Sequence, residues 1–590
     1  MAKQTDKIID YISGIEVSAT PEEIEAVQVF SIQLVEDYGY DKKQLQTRPQ
    51  FRVKARPSDN KKEYPVDIAV FPNEKKNEDE VFIIVECKKK NRKDGKGQLE
   101  DYLRLSKAQV GVWFNGQERL FLRKVEKDGK VLFQEIPNIP KKGQTLKDIG
   151  ALKREDLKPT HNLKAIFKSI RNYLAANTVG ATRDEVLAQQ LINLIFCKIY
   201  DEKYTKKKDP VRFRTSIEDE AKEVEARISE LFEELKKKPG ISEVIDSSEK
   251  ILLDDKSIQY VVGELQNYCL MESERDVIAD AFETFIGHAL KGGQGQFFTP
   301  RNVVKMMVEV LNPDENDKII DPACGSGGFL IDALKHVWEK QDKKQKDYGW
   351  SNNDLEKEKM RVATDNFRGI DKDYFLSKVT KAYMALVGDG KGGIFCEDSL
   401  ERPKNWKSET RGKIQMDTFD LVLTNPPFGS KIPVSGEEKL NQFELAHKWK
   451  FNKEDLTWEK GKLKDKEAPQ ILFIERCLEL LKDGGRMGVV LPDGIFGNDQ
   501  LGYIRDLILN KARLIAVIDV PIETFMPNTG TKTSILILQK TNKLPKDYPI
   551  FMAIAEECGH DRRGNETTND DISKLPAEFK KWAKLNNIKF

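Results

Sequence analysis

Short apolar runs stopped by proline, glycine or charge alternate along this chain with longer stretches whose apolar residues recur every three or four positions. The first pattern predicts buried strands, the second amphipathic helices. Over residues 21–38 the helical spacing puts Val27, Phe30 and Leu34 on one face, with proline at the entrance. Two β-rich runs follow, 66–71 and 81–88, separated by the polar turn PNEKKNEDE; then come a helix from 98 and a strand with its turn over 111–116. Residues 137–159 are rich in proline, glycine and charge and read as a linker. From 163 to about 289 helical patterns dominate, with Leu187, Leu191, Leu194 and Ile195 on one stripe. Beyond 300 the chain alternates helix and strand, which predicts a mostly parallel α/β sheet. Its final strands are expected at 514–520 and 533–539, forming an antiparallel hairpin, before a polar tail with a short helix.

Length sharpens this picture, since 590 residues support two to four domains. Charged residues make up 33% and the mean hydropathy is -0.57. No apolar run reaches membrane-spanning length and the start MAKQTDKIID lacks an apolar signal core, so a cytoplasmic protein is expected. The seven cysteines are scattered without a C-x-x-C pair, which predicts free thiols. A net charge of +1 neither demands nor excludes nucleic acid. The basic stretch Lys206, Lys207, Lys208, Arg212 and Arg214 reads as a solvated loop more readily than as a phosphate-binding patch.

Candidate chemistry is concentrated after the run Phe419-Asp420-Leu421-Val422-Leu423. Two prolines stop that strand and display Asn425, Pro426, Pro427 and Phe428 at its carboxyl end, where open α/β sheets bind ligands. The amine on an aromatic base is a poor nucleophile because its lone pair is delocalised into the ring. An asparagine carbonyl and a proline main-chain carbonyl can accept its two hydrogens and localise that pair. Phe428 can stack on a base flipped out of its helix. Upstream, Asp321-Pro322-Ala323-Cys324-Gly325-Ser326-Gly327-Gly328 is a strand running into a glycine-rich turn and a helix. Asp371 ends the next strand, suited to gripping ribose hydroxyls, and Asp398 follows a third, suited to accepting from an adenine amine. The G-x-x-x-x-G-K-[ST] phosphate loop is absent from the sequence, so no ATP-driven motor is expected. A charged insertion over 429–469, containing Phe443, Trp449 and Trp458, is a candidate contact for DNA or a partner.

The succession F-F-T-P at 297–300, D-P-A-C-G-S-G-G, the two acids and N-P-P-F resembles the gamma-type amino-methyltransferases, and most of all the modification subunits of type I restriction systems, over roughly 160 to 545. The resemblance implies a class I S-adenosylmethionine (SAM) dependent methyltransferase fold. It places SAM across Phe298, Thr299, Pro300, Asp321, Ala323, Gly325, Gly327, Asp371 and Asp398. Asn425, Pro426, Pro427 and Phe428 then act on adenine; cytosine would demand a similar geometry, but the leading Asn favours adenine.

Near the amino terminus Asp67 lies in one strand, and Glu86 and Lys88, two apart, share one face of the next. Two such carboxylates can hold a magnesium ion that activates a water, with the lysine steadying developing charge. With Gln98 and Tyr102 downstream, the pattern resembles the PD-(D/E)xK nucleases and the nuclease domain of type I restriction subunits, although Pro65 is displaced from Asp67 by Val66. These resemblances divide the chain into an α/β nuclease-like domain over 1–145 with a linker to about 160, a helical domain over 160–289, the methyltransferase over 290–545 and a tail over 546–590. They imply a restriction-modification subunit that methylates adenine in double-stranded DNA and cuts unmodified DNA with magnesium, as type IIB and IIG enzymes do. The alternative is an adenine methyltransferase subunit whose nuclease-like domain is an inactive assembly module. Glutamine methylation of proteins shares an N-P-P-Y motif, but those enzymes are far shorter. With about 50 residues beyond the last methyltransferase strand, too few for a DNA-reading domain, specificity is expected from a separate subunit carrying two copies of this chain.

Overall fold

The computed structural model describes residues 7–588 apart from 55–62, 91, 93, 117, 128, 161–162, 179–183, 238–244, 246, 272–298, 388–392, 430–431, 527–528, 545 and 565. It divides into two compact units, Met1–Lys238 with Asp246–Ala289, and Pro239–Ile245 with Leu290–Phe590. Among the described residues no helix is long and apolar enough to cross a membrane, and the seven cysteines are free thiols.

In the first unit the strands Leu45–Gln46 (β1), Ile68–Val70 (β2), Ile83–Cys87 (β3), Val110–Phe114 (β4), Arg119–Lys127 (β5) and Lys130–Glu135 (β6) form one sheet in sequential order. Only β3 and β4 are parallel, and the helix Lys96–Leu105 (α2) makes the crossover between them. The helix Gln28–Glu36 (α1) supplies Phe30 and Leu34 to the core on one face, and α2 supplies Leu99, Tyr102 and Leu103 on the other. Gly111 permits that packing, because a Cβ there would lie 2.6 Å from Leu103 Cδ1.

The helices Leu163–Asn177 (α3), Asp184–Tyr204 (α4), Ala221–Lys236 (α5) and Asp255–Leu265 (α6) belong to the same compact unit as this sheet. Arg119 on β5 makes a buried two-point ion pair with Glu264 on α6, its Nε donating at 2.9 Å, and Asn138 Nδ2 donates to the Gly263 carbonyl at 3.2 Å. Removing one partner of such a pair leaves an uncompensated buried charge, so it ties the two parts together. The stretch read as a linker is correspondingly packed, with Ile139, Ile149, Leu152 and Leu157 all buried. Its proline and glycine content reflects turns that the apolar residues anchor. Arg212 pairs with Glu234 at 2.7 Å and Arg214 donates to the Gly150 carbonyl, so those two cations have partners within the unit.

The second unit contains an eight-stranded mixed sheet. Its strands are Ile319–Asp321 (β7), Phe367–Asp371 (β8), Ile394–Cys396 (β9), Phe419–Thr424 (β10), Leu481–Pro492 (β13), Ala512–Asp519 (β14), Thr533–Lys540 (β15) and Phe551–Ile554 (β16); between β10 and β13 a hairpin of His447–Asn452 (β11) and Thr457–Leu463 (β12) stands apart. The sheet order is β9-β8-β7-β10-β13-β15-β14-β16, with β15 antiparallel to both neighbours and every other pair parallel. The chain leaves β7 outward to β8 and β9, then returns to β10 on β7's other side. Strand order therefore reverses between β7 and β10, which opens a crevice at their carboxyl ends. Buried runs such as Ile319-Ile320 and Leu421-Val422-Leu423 are apolar throughout because helices cover both sheet faces.

One expectation is corrected here. Residues 546–590 are not a tail: β16 extends the sheet beside β14, and the helix Leu575–Leu585 packs Phe579 and Trp582 against Phe551 with ring centroids 5.4 and 5.5 Å away. A mostly polar connection over 541–550 hid that strand, which is only four residues long. The described residues 432–469 of the insertion pack within the same unit. Trp449 stacks on Tyr503 with 5.9 Å between centroids, and Trp458 lies so close to Gly502 that a Cβ there would stand 2.4 Å from its ring.

Candidate active site

The carboxyl ends of β7, β8 and β10 and the loop after β9 surround a cavity of about 360 Å³, within the range of small-molecule sites. Along its floor runs the glycine-rich turn. Gly325 and Gly327 have φ of +51° and +86°, and at Gly327 a Cβ would lie 2.6 Å from Thr380 Cγ2, so this turn accepts only glycine there. Both Asp371 oxygens brace neighbouring backbone: Oδ2 accepts from Gly325 N and Oδ1 from Asp373 N, each at 2.9 Å. Asp321 Oδ1 accepts from Ala323 N at 3.0 Å. Each oxygen retains a lone pair for a ligand hydroxyl or ammonium.

Burial pushes the Asp321 carboxyl up to about 7 and raises that of Asp371. An acid whose folded pKa exceeds its unfolded value stabilises the fold below the unfolded value, near 4, and loses that contribution as pH rises through about 7. Asp321→Asn can keep the bond from Ala323 N and has no charge to bury. Its melting temperature should therefore equal or trail that of the parent near about pH 5 and exceed it near about pH 8, by an effect on the order of a few kcal/mol. A melting-temperature difference that stays constant across this range would contradict the assignment.

Asn425 follows β10 directly and faces the cavity together with Pro426 and Pro427. Its Nδ2 donates to Thr299 Oγ1 at 3.0 Å, while its buried Oδ1 has no hydrogen-bond partner among the described residues. A buried carbonyl left without a donor costs free energy unless a ligand supplies one. Thr299, Asp321, Ala323, Gly325, Asp371 and Asp398 all line the same cavity. Pro300 caps the helix Arg301–Leu311 (α7), Gly327 is the N-cap of the helix Gly328–Tyr348 and does not itself line the cavity, and Phe298 lies outside the described residues. Phe428 does not line the cavity; it is 6% exposed and meets Phe525 edge to face with 6.5 Å between centroids. Sequence reasoning missed Phe525, Lys439 and the segment 432–435, which also lines the cavity; none carries a motif, and only folding brings them here.

In the first unit Asp67, Glu86 and Lys88 are brought together. Asp67 Oδ2 accepts from Cys87 N at 2.7 Å, and the Lys88 ammonium is paired with Glu86 Oε1. Burial raises Asp67 to about 6; burial and then the Asp67 charge raise Glu86 to about 7. Glu22, which carried no signal in the sequence, adds negative charge at the same place, and Tyr102 with its partner Gln98 lies alongside. Among the described residues no group of three or more His, Cys, Asp or Glu side chains is placed to hold a metal ion. Asp67 and Glu86 are a pair of carboxylates, and the Lys88 ammonium engages one Glu86 oxygen.

Residues 273–590 match the family model described as N-6 DNA Methylase, and residues 21–140 the one described as the N terminus of the type I restriction enzyme R protein. The type I restriction enzyme EcoEI methylase subunit of Escherichia coli is 29% identical over 48% of this chain and 50% of its own length. The type II restriction enzyme and methyltransferase RM.BcgI of Heyndrickxia coagulans is 23% identical over 50% of this chain and 40% of its own. The chain spans about half the length of the curated relatives it matches. A type I restriction enzyme modification subunit from Vibrio vulnificus superposes with a TM-score of 0.51 at 18% identity, over 72% of this chain and 90% of that one. The type I methyltransferase subunit from Streptococcus thermophilus gives 0.50 at 17% identity, over 72% and 94%. These are likenesses of fold, and they bear out the α/β methyltransferase architecture.

Proposed function

The chain belongs to the N-6 DNA methylase family, and from that premise we propose that it methylates the exocyclic amine of adenine in double-stranded DNA, as the modification subunit of a restriction-modification system. The observation that carries this reading is the Asn425 amide, which lines the cavity and whose buried Oδ1 has no donor among the described residues. With the Pro426 carbonyl it can accept the two amine hydrogens of a flipped base, which localises the nitrogen lone pair. Thr299 Oγ1 engages the amide nitrogen, which leaves the oxygen as the amide atom available to accept from a base. Transfer of the methyl to the amine would break its C–S bond and leave the donor as a neutral thioether, and the extra amine proton would pass from the nitrogen to water.

The cavity suits SAM, which when bound supplies an electrophilic methyl group. Asp371 and the turn at Gly325 would take its ribose, Asp398 its adenine, and Asp321 its ammonium end. Specificity would come from a separate subunit, with two copies of this chain around it. The test is transfer of labelled methyl from SAM to duplex DNA, with and without such a subunit, followed by nucleoside analysis. N6-methyladenine formed at defined sites only when the subunit is present is expected. Label in N4-methylcytosine or in protein would overturn the reading, and site-selective methylation by this chain alone would overturn the need for a partner.

A second reading, in which the amino-terminal region cuts unmodified DNA with magnesium, is favoured by the convergence of Asp67, Glu86 and Lys88. On it, Asp67 and Glu86 in their charged forms would hold magnesium, which would supply an activated water, with the Lys88 ammonium beside Glu86 to steady developing charge. Magnesium should then raise the melting temperature of the wild-type chain and support nicking of unmethylated DNA, and Glu86→Ala should abolish both effects with methylation intact. If neither effect appears in the wild type, the domain serves assembly or DNA binding only.

A further inference from the structure

The first part of the insertion that follows Asn425 does not project from the molecule; it closes one side of the cavity. Val434 and Ser435 line the cavity and pair antiparallel with Glu467 and Lys466. Further along, Leu440 and Phe443 are buried against Leu400 and Phe473. Gln442 Nε2 donates to the Leu400 carbonyl, and Arg402 Nε to the Glu438 carbonyl, both at 2.9 Å. The segment is thus a strap pinned to the loop that carries Asp398. At its centre the Lys439 ammonium pairs with Asp398 Oδ2, with Glu401 3.9 Å away, and both Lys439 and Asp398 line the cavity.

We propose that Lys439 is a positioning residue of the cofactor site, holding the Asp398 carboxylate in the plane in which it accepts the exocyclic amine of the cofactor's adenine. The inference rests on the cofactor reading above. Asp398 Oδ1 accepts from Leu400 N at 2.9 Å, so backbone fixes one oxygen and the ammonium the other. Two anchors set the carboxylate plane, where one would leave it free to rotate. Carboxylate oxygens each accept more than one bond, so the ammonium need not leave when the amine arrives. The ion pair is only partly buried, at 21% and 38% side-chain exposure, so by itself it adds little to stability; its consequence is orientation. A site built this way should reject a ring bearing a keto oxygen in place of the amine, because two acceptors would then face each other.

The test compares binding of S-adenosylhomocysteine and S-inosylhomocysteine to the full chain by calorimetry. The wild type should prefer the adenosyl compound by at least about tenfold. Lys439→Met should shrink that preference by about tenfold, through weaker adenosyl binding with inosyl binding nearly unchanged, and Lys439→Arg should restore most of it. In an Asp398→Asn background Lys439→Met should add no further loss, which keeps the inference testable even if one single variant is unstable. Equal weakening of both compounds, or tighter adenosyl binding, would overturn the positioning role. A wild type that binds neither compound would instead overturn the cofactor reading, whereas one that binds both without preference would overturn only the role given to Asp398.

Discussion

Asn425→Ala is expected to reduce methyl transfer to DNA by about 100- to 1,000-fold or more, while affinity for S-adenosylhomocysteine stays within about twofold. Among the described residues the side chain's carbonyl has no donor, so its removal takes from them only the bond to Thr299 Oγ1. On the proposed reading it removes an acceptor for the amine, whose interaction strengthens as the nitrogen lone pair localises. An interaction made more strongly in the transition state than in the ground state lowers turnover when lost, with little change in binding. Asn425→Asp, which keeps an acceptor but loses the donor to Thr299, should fall between the two. Single-turnover transfer measured beside calorimetric binding checks this. If binding falls in step with turnover, Asn425 belongs to the cofactor and not to the base.

Asp371→Ala should act the other way, weakening cofactor binding by about 10- to 100-fold and leaving turnover at saturating cofactor largely recovered. Its carboxylate accepts from both Gly325 N and Asp373 N, so alanine leaves two backbone donors without their charge-assisted partner and the glycine turn without its brace. Each such bond contributes about 1.5–3 kcal/mol. Asp371→Asn retains one good acceptor and should lose less. Titration of all three proteins with S-adenosylhomocysteine decides the matter, and unchanged affinity in the alanine variant would sink the assignment.

Several features were legible in the residues alone because they depend on neighbours in the chain. The buried strand Phe419–Thr424 ends where the two prolines stop it, the glycine turn starts a helix at Gly328, and Asp371 closes its strand. Helical spacing likewise picked out Phe30, Leu34, Leu191 and Ile195, all buried. Local sequence dictates these because backbone restriction and apolar periodicity act over a few residues.

Only the tertiary structure decided the rest. It turned the proline-rich stretch over 137–159 into packed core, because Ile149, Leu152 and Leu157 find partners far away in sequence. It made the four-residue strand Phe551–Ile554 an edge of the sheet through pairing with Ala512–Asp519, a gain that no pattern within so short a segment reveals. It sent Phe428 against Phe525 instead of into the cavity, placed Glu22 beside Asp67 and Glu86, and brought Lys439 onto Asp398. The motif order points to the chemistry proposed for the chain; which side chains wall and brace the candidate site follows from contacts between residues tens of positions apart, where burial and charge pairing, not local propensity, set the outcome.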